Sequence, residues 1–331
     1  MEKFRFAVAG CTGKVGRMFL TVLEERKLPI SDIVMFASAK SAGSKIGFNG
    51  KDYIVLELTK ENVKNNPVDI VLMSTNGTNS KEFAPIFAST GAVVIDNSSQ
   101  WRMDVNTPLV VPEVNPQDAF KHNGIIANPN CSTIQAMVAL KPLDDAFKIK
   151  RIIYSTYQSV SGAGVAGCED LENGMKGIPP KKFAYPIFNN VIPQIDVFLE
   201  NGYSKEEQKM IDETKKILGN ANLKVTATTV RVPVSNGHSE SINVEFYNDA
   251  PVNKVKELLS SAPSIILMDD IKKDIYPMPF QVNGKDEVFV GRVRKDDTVE
   301  HGINMWVVAD NTRKGAATNA VEIAELLINK S

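Results

Sequence analysis

The sequence lacks the long apolar runs of a membrane protein and has few cysteines and histidines. No run approaches the ~18 apolar residues that span a bilayer, and the opening MEKFRFAVAG has no apolar stretch long enough for a signal peptide. Cys11, Cys131 and Cys168 are far apart and form no C-x-x-C pair, which argues against a disulfide scaffold or a zinc site. Three histidines are too few for a His-rich metal centre. We therefore expect a cytoplasmic protein with reduced thiols and no metal site.

Neither sign of charge predominates in the composition. The chain has 38 basic and 39 acidic side chains, so its formal net charge is −1. This balance gives no indication of a nucleic-acid or membrane-surface partner. The 331 residues, of which 43% are apolar and 23% charged, are enough for two ordinary soluble domains.

The first third of the chain alternates between buried-strand and helical patterns. Apolar runs typical of buried strands cover residues 4–10, 32–38, 68–75 and 91–98. Helical spacing follows the first run, and SKEFAPIFAST (80–90) predicts a helix between the last two. This alternation predicts βαβ units and a doubly wound, Rossmann-like parallel sheet over residues 1–130.

The pattern changes after Cys131. STIQAMVALKPL (132–143) has a helical apolar face, and five longer β-rich runs follow it, over residues 148–160, 223–234, 239–248, 286–296 and 302–310. They predict a second, α+β domain over residues 131–311, with a mixed, largely antiparallel sheet. The last segment, 312–331, contains a strong amphipathic helix over KGAATNAVEIAELLINK (314–330). Periodicity leaves open which domain this helix packs on, and we expect it to return to the first.

A glycine-rich segment, GCTGKVG (10–16), follows the first strand and opens the first helix. Glycines at this spacing let the backbone turn tightly and approach a phosphate, which the N–H groups of the helix N-terminus attract. The G-x-x-G-x-x-G spacing departs from the stricter dinucleotide fingerprint, and a purely structural turn is the alternative. Its place in a first βαβ unit favours a dinucleotide site.

The region after the second strand bears on which dinucleotide binds. An NAD site usually has Asp or Glu there to hold the ribose hydroxyls. The segment from Phe36 to Lys45 contains no acidic residue, whereas Lys40, Ser41 and Ser44 suit a 2′-phosphate. A solvated loop is the alternative, but the composition favours NADP.

Cys131 is the cysteine whose surroundings suggest chemistry. NPNCST (128–133) places it behind a proline turn, with Asn130 as a helix-capping residue, at the start of a helix that would stabilise a thiolate. A buried, structural cysteine is the alternative. His238, in a glycine-containing turn between two strands, is a candidate proton acceptor. Cys11 and Cys168 lack such neighbours and are interpreted as structural.

Several long motifs, taken together, resemble those of bacterial aspartate-semialdehyde dehydrogenases over nearly the whole chain. They are GCTGKVG, FASAKSAGSKIGF, NSSQWRMD, VVPEVNP, ANPNCSTIQ, YQSVSGAG, EEQKMIDETKKIL, RVPVSNGHSESINVEF and DNTRKGAATNAVEIAE. The resemblance implies NADPH-dependent reduction of L-aspartyl 4-phosphate to L-aspartate 4-semialdehyde with release of phosphate. This is a step towards lysine (by diaminopimelate), threonine, methionine and isoleucine. It also implies a homodimer built through the second domain.

The resemblance also implies roles for individual residues. Cys131 corresponds to the nucleophile, His238 to the acid–base group, and Gln158 to the residue that orients the acyl group, while Asn130 is a further candidate for the oxyanion. The implied substrate contacts are Arg102 and Lys209 for phosphate, Arg231 for the carboxylate and Glu206 for the amino group. The implied cofactor contacts are Gly10, Thr12, Gly13, Lys14, Val15, Gly16, Lys40, Ser41, Ser161, Gly162 and Asn311. Cys11 and Lys14 stand where the family usually has alanine, which raises the question of oxidation at Cys11.

Three alternatives remain at this point. N-acetyl-glutamyl-phosphate reductase has the same kind of nucleophile, but its cysteine is typically followed by an aromatic residue and a proline, which NCSTIQ lacks. A non-catalytic NADP-binding regulator would not need Cys131, Gln158, Arg231 and His238 together. A cysteine hydrolase would give the glycine-rich segment no function.

Overall fold

The chain divides into two units in a computed structural model that describes residues 3–330. One unit comprises Met1–Asn130 and Ala316–Ser331, and the other comprises Cys131–Gly315. Residues 1, 2 and 331, which the predicted domain bounds include, lie outside the described residues. The second unit extends four residues beyond the predicted end at 311, so only the segment from 316 onward groups with the first unit.

The first unit is built from strands and helices in alternation. Its elements are β1 (Phe4–Ala9), α1 (Lys14–Arg26), β2 (Ile30–Ala37), β3 (Lys45–Phe48), β4 (Lys51–Ile54), β5 (Leu56–Glu57), α2 (Lys60–Asn65), β6 (Ile70–Met73), α3 (Gly77–Ser89), β7 (Val93–Asp96), β8 (Ile125–Ala127) and, from the chain's end, α9 (Thr318–Lys330). Short helical turns cover Ala39–Ser41 and Pro116–Lys121. The four strands and the helix predicted here are therefore present.

A six-stranded sheet forms the centre of this unit, in the order β5-β2-β1-β6-β7-β8. All its pairs are parallel. Ranked along the chain, the order is 3-2-1-4-5-6, which is that of doubly wound dinucleotide-binding sheets. The predicted fold class is confirmed. In such a sheet, ligands bind at the carboxyl ends of the strands, where the order reverses beside β1.

The sheet is covered on both faces because alternate residues of each strand point in opposite directions. Phe6 and Val8 belong to one apolar cluster, which α1 and α9 complete. Ala7 and Ala9 belong to the other, which includes residues of α2 and α3. The final helix therefore packs in the first unit. It begins at Thr318, after a π-helical turn over Arg313–Ala317, and not at 314 as its periodicity predicts.

The second unit contains a mixed sheet. Its elements are α4 (Cys131–Phe147), β9 (Ile149–Gln158), α5 (Gly164–Gly174), α6 (Lys205–Ile217), β10 (Lys224–Arg231), β11 (His238–Phe246), α7 (Val252–Ser261), β12 (Ile265–Leu267), α8 (Pro279–Val282), β13 (Val288–Asp296) and β14 (Gly302–Ala309), with helical turns over Val160–Ala163 and Ile271–Lys273. The sheet order is β10-β9-β11-β14-β13-β12. The four central strands, β9, β11, β14 and β13, pair antiparallel in that order. The two outer pairs, β10 with β9 and β12 with β13, are parallel. His238 opens β11, so it is the first residue of a strand and not part of the preceding turn as predicted.

Glu240, on β11, is a fully buried carboxyl group whose two oxygens have no hydrogen-bond partner among the described residues. Burial raises the pKa of Glu240 well above its usual value. The folded protein therefore keeps a proton that the unfolded chain loses above pH 4.5, and Glu240 makes the free energy of unfolding fall as pH rises.

We expect Glu240→Gln to remove this pH dependence. The stability of the variant relative to wild type should increase by up to about 1.4 kcal/mol per pH unit above the ordinary pKa of glutamate. Urea unfolding at pH values of about 5.5, 7 and 8.5 measures it. Glu245→Gln is the control, because Lys150 lowers the pKa of Glu245 on the same strand and its contribution stays constant over this range. A Glu240→Gln effect that does not grow with pH would contradict a neutral Glu240.

Candidate active site

The glycine-rich segment turns sharply between β1 and α1. Gly10 has φ +86°, and a Cβ there would lie 2.2 Å from the carbonyl oxygen of Ser74. A Cβ at Gly16 would lie 2.1 Å from the carbonyl oxygen of Gly10. Only glycine fits either position. Gly13 precedes α1 and provides no side-chain cap, so the positive end of the helix dipole faces the turn, where it would attract an anionic ligand.

A cavity of about 340 Å³ lies beside this turn at the carboxyl edge of the parallel sheet. It is lined by Gly10, Thr12, Gly13, Ala37, Ser38, Ala39, Glu57, Leu58, Ser74, Thr75, Asn76, Asn79 and Phe83. Its position at the strand-order reversal and its polar, glycine-rich wall fit a dinucleotide. The cavity formed by residues of the first unit therefore suits a dinucleotide cofactor in position and lining.

Not every predicted cofactor residue of the first unit lines the cavity. Gly10, Thr12 and Gly13 do, whereas Lys14, Val15 and Gly16 belong to the helix that follows. Lys40 and Ser41 lie in the helical turn whose first residue, Ala39, is in the wall. The structure adds Glu57, which the sequence pattern missed, because β5 pairs with β2 and brings Glu57 beside Ala37.

Arg102 is held by backbone carbonyl groups of the first unit. Its Nε donates to the carbonyl of Asn128 at 3.0 Å and its Nη2 to that of Asn97 at 2.8 Å. Both carbonyls follow a strand of the parallel sheet, β8 and β7 respectively. The guanidinium is thus fixed in orientation. Asn130, two residues beyond Asn128, is buried and ends this unit.

In the second unit, Cys131 is the first residue of α4. Cys131 is a partly exposed residue, and Arg231 lies within electrostatic range of its thiol. A helix N-terminus and a nearby guanidinium both stabilise negative charge on sulfur. The position thus suits a thiolate nucleophile.

His238 is fully buried beside Ser159. Its Nδ1 accepts a hydrogen bond from the backbone N–H of Ser159 at 3.1 Å. Its backbone carbonyl accepts from Nε2 of Gln135, in α4, at 3.3 Å. Burial, and secondly the charge of Arg231, lower the pKa of His238 to about 3. The imidazole is therefore neutral at physiological pH.

A chain of polar side chains runs from the end of β9 into α6. Gln158 donates from Nε2 to Glu206 at 3.1 Å and accepts at Oε1 from Thr156 at 3.0 Å. The other oxygen of Glu206 lies 3.1 Å from Nζ of Lys209, which also contacts Asp196 at 3.0 Å. Although burial opposes them, the charges of Glu206 and Asp196 raise the pKa of Lys209, so it stays charged. Glu206 is thus a buried carboxylate, and Lys209 connects it to Asp196 at the surface.

Arg231 ends β10 and is almost fully buried. Its Nη1 donates to the carbonyl of Ser159 at 2.6 Å. Burial lowers the pKa of Arg231, with the charges of Glu206 and Cys131 acting in the opposite direction. A guanidinium nevertheless remains protonated in proteins. Gly162 lies against it, since a Cβ there would be 2.9 Å from Nη1 of Arg231 and 3.2 Å from Nε2 of His238.

The second unit therefore brings together most of the predicted catalytic and substrate residues. Direct contacts, or contacts through Ser159, link eight of them: His238, Gln158, Glu206, Lys209, Arg231, Ser161, Gly162 and Asn311. Sequence reasoning missed Ser159 and Asp196. Ser159 lies inside the quoted motif YQSVSGAG, but nothing in the spacing indicates its partners.

The other cysteines have different surroundings. Cys11 is fully buried, and burial raises its pKa to about 11. Cys168 lies in α5, packed against a small apolar cluster.

We expect iodoacetamide at neutral pH to label Cys131 in the native protein well before Cys11, because the thiolate is the reactive form. Peptide mass spectrometry of timed samples, with urea-unfolded protein as control, measures this. Faster labelling of Cys11 would show that its thiol is exposed and reactive.

Across residues 3–330, no helix combines the length and apolar character needed to cross a membrane. Within the same residues, no group of three or more His, Cys, Asp or Glu side chains is arranged to hold a metal ion.

The doubly wound sheet and its glycine-rich turn define a dinucleotide-binding protein, and comparison with known proteins narrows the class. The family model described as "Semialdehyde dehydrogenase, NAD binding domain" matches residues 5–122, and "Semialdehyde dehydrogenase, dimerisation domain" matches residues 140–314. The matched domain supports a nicotinamide cofactor.

Individual relatives agree with the family models. The aspartate-semialdehyde dehydrogenase of Aquifex aeolicus is 54% identical over 336 residues, covering 99% of this chain and 98% of that protein. The crystal structure of aspartate semialdehyde dehydrogenase II from Vibrio cholerae, complexed with ASA, has a TM-score of 0.95 and 46% identity over 99% of both chains. The Candida albicans enzyme, solved with NADP, has a TM-score of 0.78 and 28% identity over 99% of both chains. The chain belongs to the aspartate-semialdehyde dehydrogenase family.

Proposed function

We propose that this chain reduces L-aspartyl 4-phosphate to L-aspartate 4-semialdehyde and phosphate, with NADPH as the hydride donor. The observation that carries the proposal is the cluster of the second unit, in which a helix-start cysteine lies near a buried arginine, a neutral histidine and a Gln–Glu–Lys chain. A small substrate with an amino group, a carboxylate and an acyl phosphate needs separate charged groups of this kind.

Cys131 is the proposed nucleophile. Its thiolate attacks the acyl carbon, the bond to phosphate breaks, and a thioester remains on the sulfur. The start of α4 supplies backbone N–H groups for the oxyanion of the tetrahedral intermediate, and Asn130 is a second candidate for that contact. When bound, the reduced nicotinamide supplies the hydride that converts the thioester to the aldehyde.

The charged residues are proposed to bind the three substituents of the substrate. Arg231 presents a planar guanidinium suited to the α-carboxylate. Glu206, whose carboxylate accepts hydrogen bonds from Gln158 and Lys209, is the proposed hydrogen-bond acceptor for the amino group. Arg102 and Lys209 are the proposed phosphate contacts. Gln158 is fixed at both ends of its amide, so it can orient the acyl group without rearranging.

NADP is the proposed form of the cofactor. The short turn Ala39–Ser41 carries Lys40 next to the cavity wall, where its charge would neutralise a 2′-phosphate.

We expect Lys40→Ala to raise KM for NADP about tenfold or more while leaving KM for NAD nearly unchanged, since only NADP carries that phosphate. Lys45→Ala, which removes an exposed lysine paired with Asp52, is the matched control. Equal losses with both cofactors would contradict a role in 2′-phosphate recognition.

A spectrophotometric assay tests the function as a whole. Aspartate semialdehyde, phosphate and NADP should give phosphate-dependent formation of NADPH that thiol alkylation abolishes. N-acetyl-glutamate semialdehyde, assayed in parallel, should give no comparable rate. Phosphate-independent oxidation, or a preference for the acetylated aldehyde, would overturn the proposal. Binding of NADP without turnover of either aldehyde would instead favour a regulator.

The remaining expectations fit this reaction. A homodimer through the second unit is proposed because residues 140–314 match a dimerisation domain. A cytoplasmic location suits a reaction that depends on a reduced thiolate.

A further inference from the structure

Asp96 is a fully buried acid at the last position of β7, and it has no role in the reaction proposed so far. Burial raises the pKa of Asp96. The hydroxyls of Ser98 and Ser80, and after them the charge of Arg102, act to lower it. Burying a carboxyl group costs free energy that its contacts must offset, so those contacts indicate what the residue does.

Ser98 connects Asp96 to the backbone of the loop that follows β7. Its hydroxyl donates to Oδ2 of Asp96 at 2.5 Å, and its oxygen accepts from the backbone N–H of Gln100 at 3.2 Å. A hydroxyl has one proton and two lone pairs, so a single orientation of Ser98 makes both bonds. The carboxyl group thereby fixes the backbone two residues before Arg102.

Ser80, on α3, makes a second connection to the same loop. Its hydroxyl oxygen accepts from Nε1 of Trp101 at 2.9 Å, which leaves its own proton for the carboxyl group of Asp96, whose pKa it lowers. Trp101 also packs against the apolar cluster that contains residues of α2 and α3. The residue immediately before Arg102 is therefore anchored both by packing and by Ser80.

The two carbonyl groups that hold Arg102 are also linked to Asp96. Asn97, whose carbonyl accepts from Nη2 of Arg102 at 2.8 Å, follows Asp96 directly in the chain. Asn128, whose carbonyl accepts from Nε of Arg102 at 3.0 Å, donates its backbone N–H to the carbonyl of Asp96 at 2.8 Å. The side chain and the backbone of Asp96 thus both support the segment that presents the guanidinium.

We propose that Asp96 is a positioning residue that holds the segment 97–102 so that Arg102 is correctly oriented to bind phosphate. This inference rests on the proposed function, in which Arg102 is a phosphate contact. A guanidinium binds phosphate through a planar fork of donors, so its orientation must be set before the anion arrives. Residues 97–102 contain no helix or strand. Hydrogen bonds from Asp96, and not a regular element, therefore supply that orientation.

Fluorine NMR of full-length protein labelled with 5-fluorotryptophan tests the anchor without turnover. The chain has two tryptophans, and Trp306→Phe assigns their signals. Asp96→Asn keeps the shape of the side chain but has one acceptor oxygen in place of two, so we expect the Trp101 signal to move and the Trp306 signal to stay. Asp69→Asn is the control, because Asp69 accepts from the backbone N–H of Arg5 at the opposite edge of the same sheet. A Trp101 signal equal to that of the control would overturn the proposal.

Titration with inorganic phosphate alone tests the effect on binding. Phosphate should shift the Trp101 signal of the wild-type protein, because Trp101 precedes Arg102, and Arg102→Ala should abolish that response. We expect Asp96→Asn to raise the Kd for phosphate about three- to tenfold, an effect of the size that one lost hydrogen bond produces. A wild-type signal that does not respond to phosphate, or a moved Trp101 signal with an unchanged Kd, would contradict a positioning role.

Steady-state kinetics of aldehyde oxidation provides the second readout. KM for phosphate should rise by the same factor in Asp96→Asn, whereas kcat and the KM values for the aldehyde and NADP should stay within about twofold. Ser98→Ala removes only the connection to Gln100 and should give a smaller rise, and it carries the test if Asp96→Asn does not fold. Equal losses for all three substrates would show a general structural role and overturn the proposal. Absence of any phosphate-dependent rate in wild-type protein would refute the proposed function and leave the phosphate titration of Asp96→Asn intact.

Discussion

We expect Cys131→Ala to lower kcat for aspartate-semialdehyde oxidation by roughly 10⁴-fold or more, because the proposed acyl-enzyme bond forms at this sulfur. The helix start and Arg231 that stabilise its thiolate remain in the variant, but they have no nucleophile to act on. Initial rates with saturating aldehyde, phosphate and NADP measure the loss. A rate within tenfold of wild type would remove covalent catalysis at Cys131 from the account.

Two controls separate loss of chemistry from loss of structure. The dinucleotide cavity is built from residues of the first unit, so NADP binding by Cys131→Ala, measured by fluorescence or calorimetry, should equal that of wild type. Cys168→Ala removes a thiol from α5, outside the catalytic cluster, and should retain activity.

The second large effect is expected at His238. His238→Ala removes the proposed acid–base group, and loss of such a group costs about 10²- to 10⁴-fold in kcat. KM for the aldehyde should change little, because Arg231 and Glu206, the proposed substrate contacts, are retained. Steady-state kinetics over a range of aldehyde concentrations separates the two constants.

The glutamine variant makes the comparison more informative. Gln keeps an N–H donor but cannot exchange a proton as imidazole does, so kcat of His238→Gln should stay within about threefold of that of His238→Ala. His301→Ala, which alters a half-buried histidine paired with Asp249, is the control. Recovery of most of the wild-type kcat by His238→Gln would contradict proton transfer by the imidazole.

Much of the first unit could be predicted from sequence because its signals are local. A strand of the parallel sheet is an apolar run, and its glycine turn is a fixed spacing between that run and the next helix. Gly10 illustrates the physical basis, since its positive φ and its approach to the carbonyl of Ser74 exclude any side chain. The resemblance of the motifs supplied the candidate roles of Cys131 and His238.

The contacts that the sequence did not reveal join residues that are distant along the chain. Glu57 reaches the cavity because β5 pairs with β2, and a two-residue strand carries no readable period. Asp196 contacts Lys209 from a segment outside any helix or strand. Ser159 and Asn311 are separated by 152 positions, so only the fold reveals that they meet at His238. Local pattern predicts elements, whereas hydrogen-bond partners depend on packing.

The most direct test of the account is to look for the acyl group on the enzyme. Wild-type protein mixed with L-aspartyl 4-phosphate without reduced cofactor should gain the mass of one aspartyl group per chain, located on the peptide that contains Cys131 and released by NADPH as the semialdehyde. Acylation of another residue, or full turnover with no adduct at Cys131 on any time scale resolved by rapid quench, would contradict the thioester route.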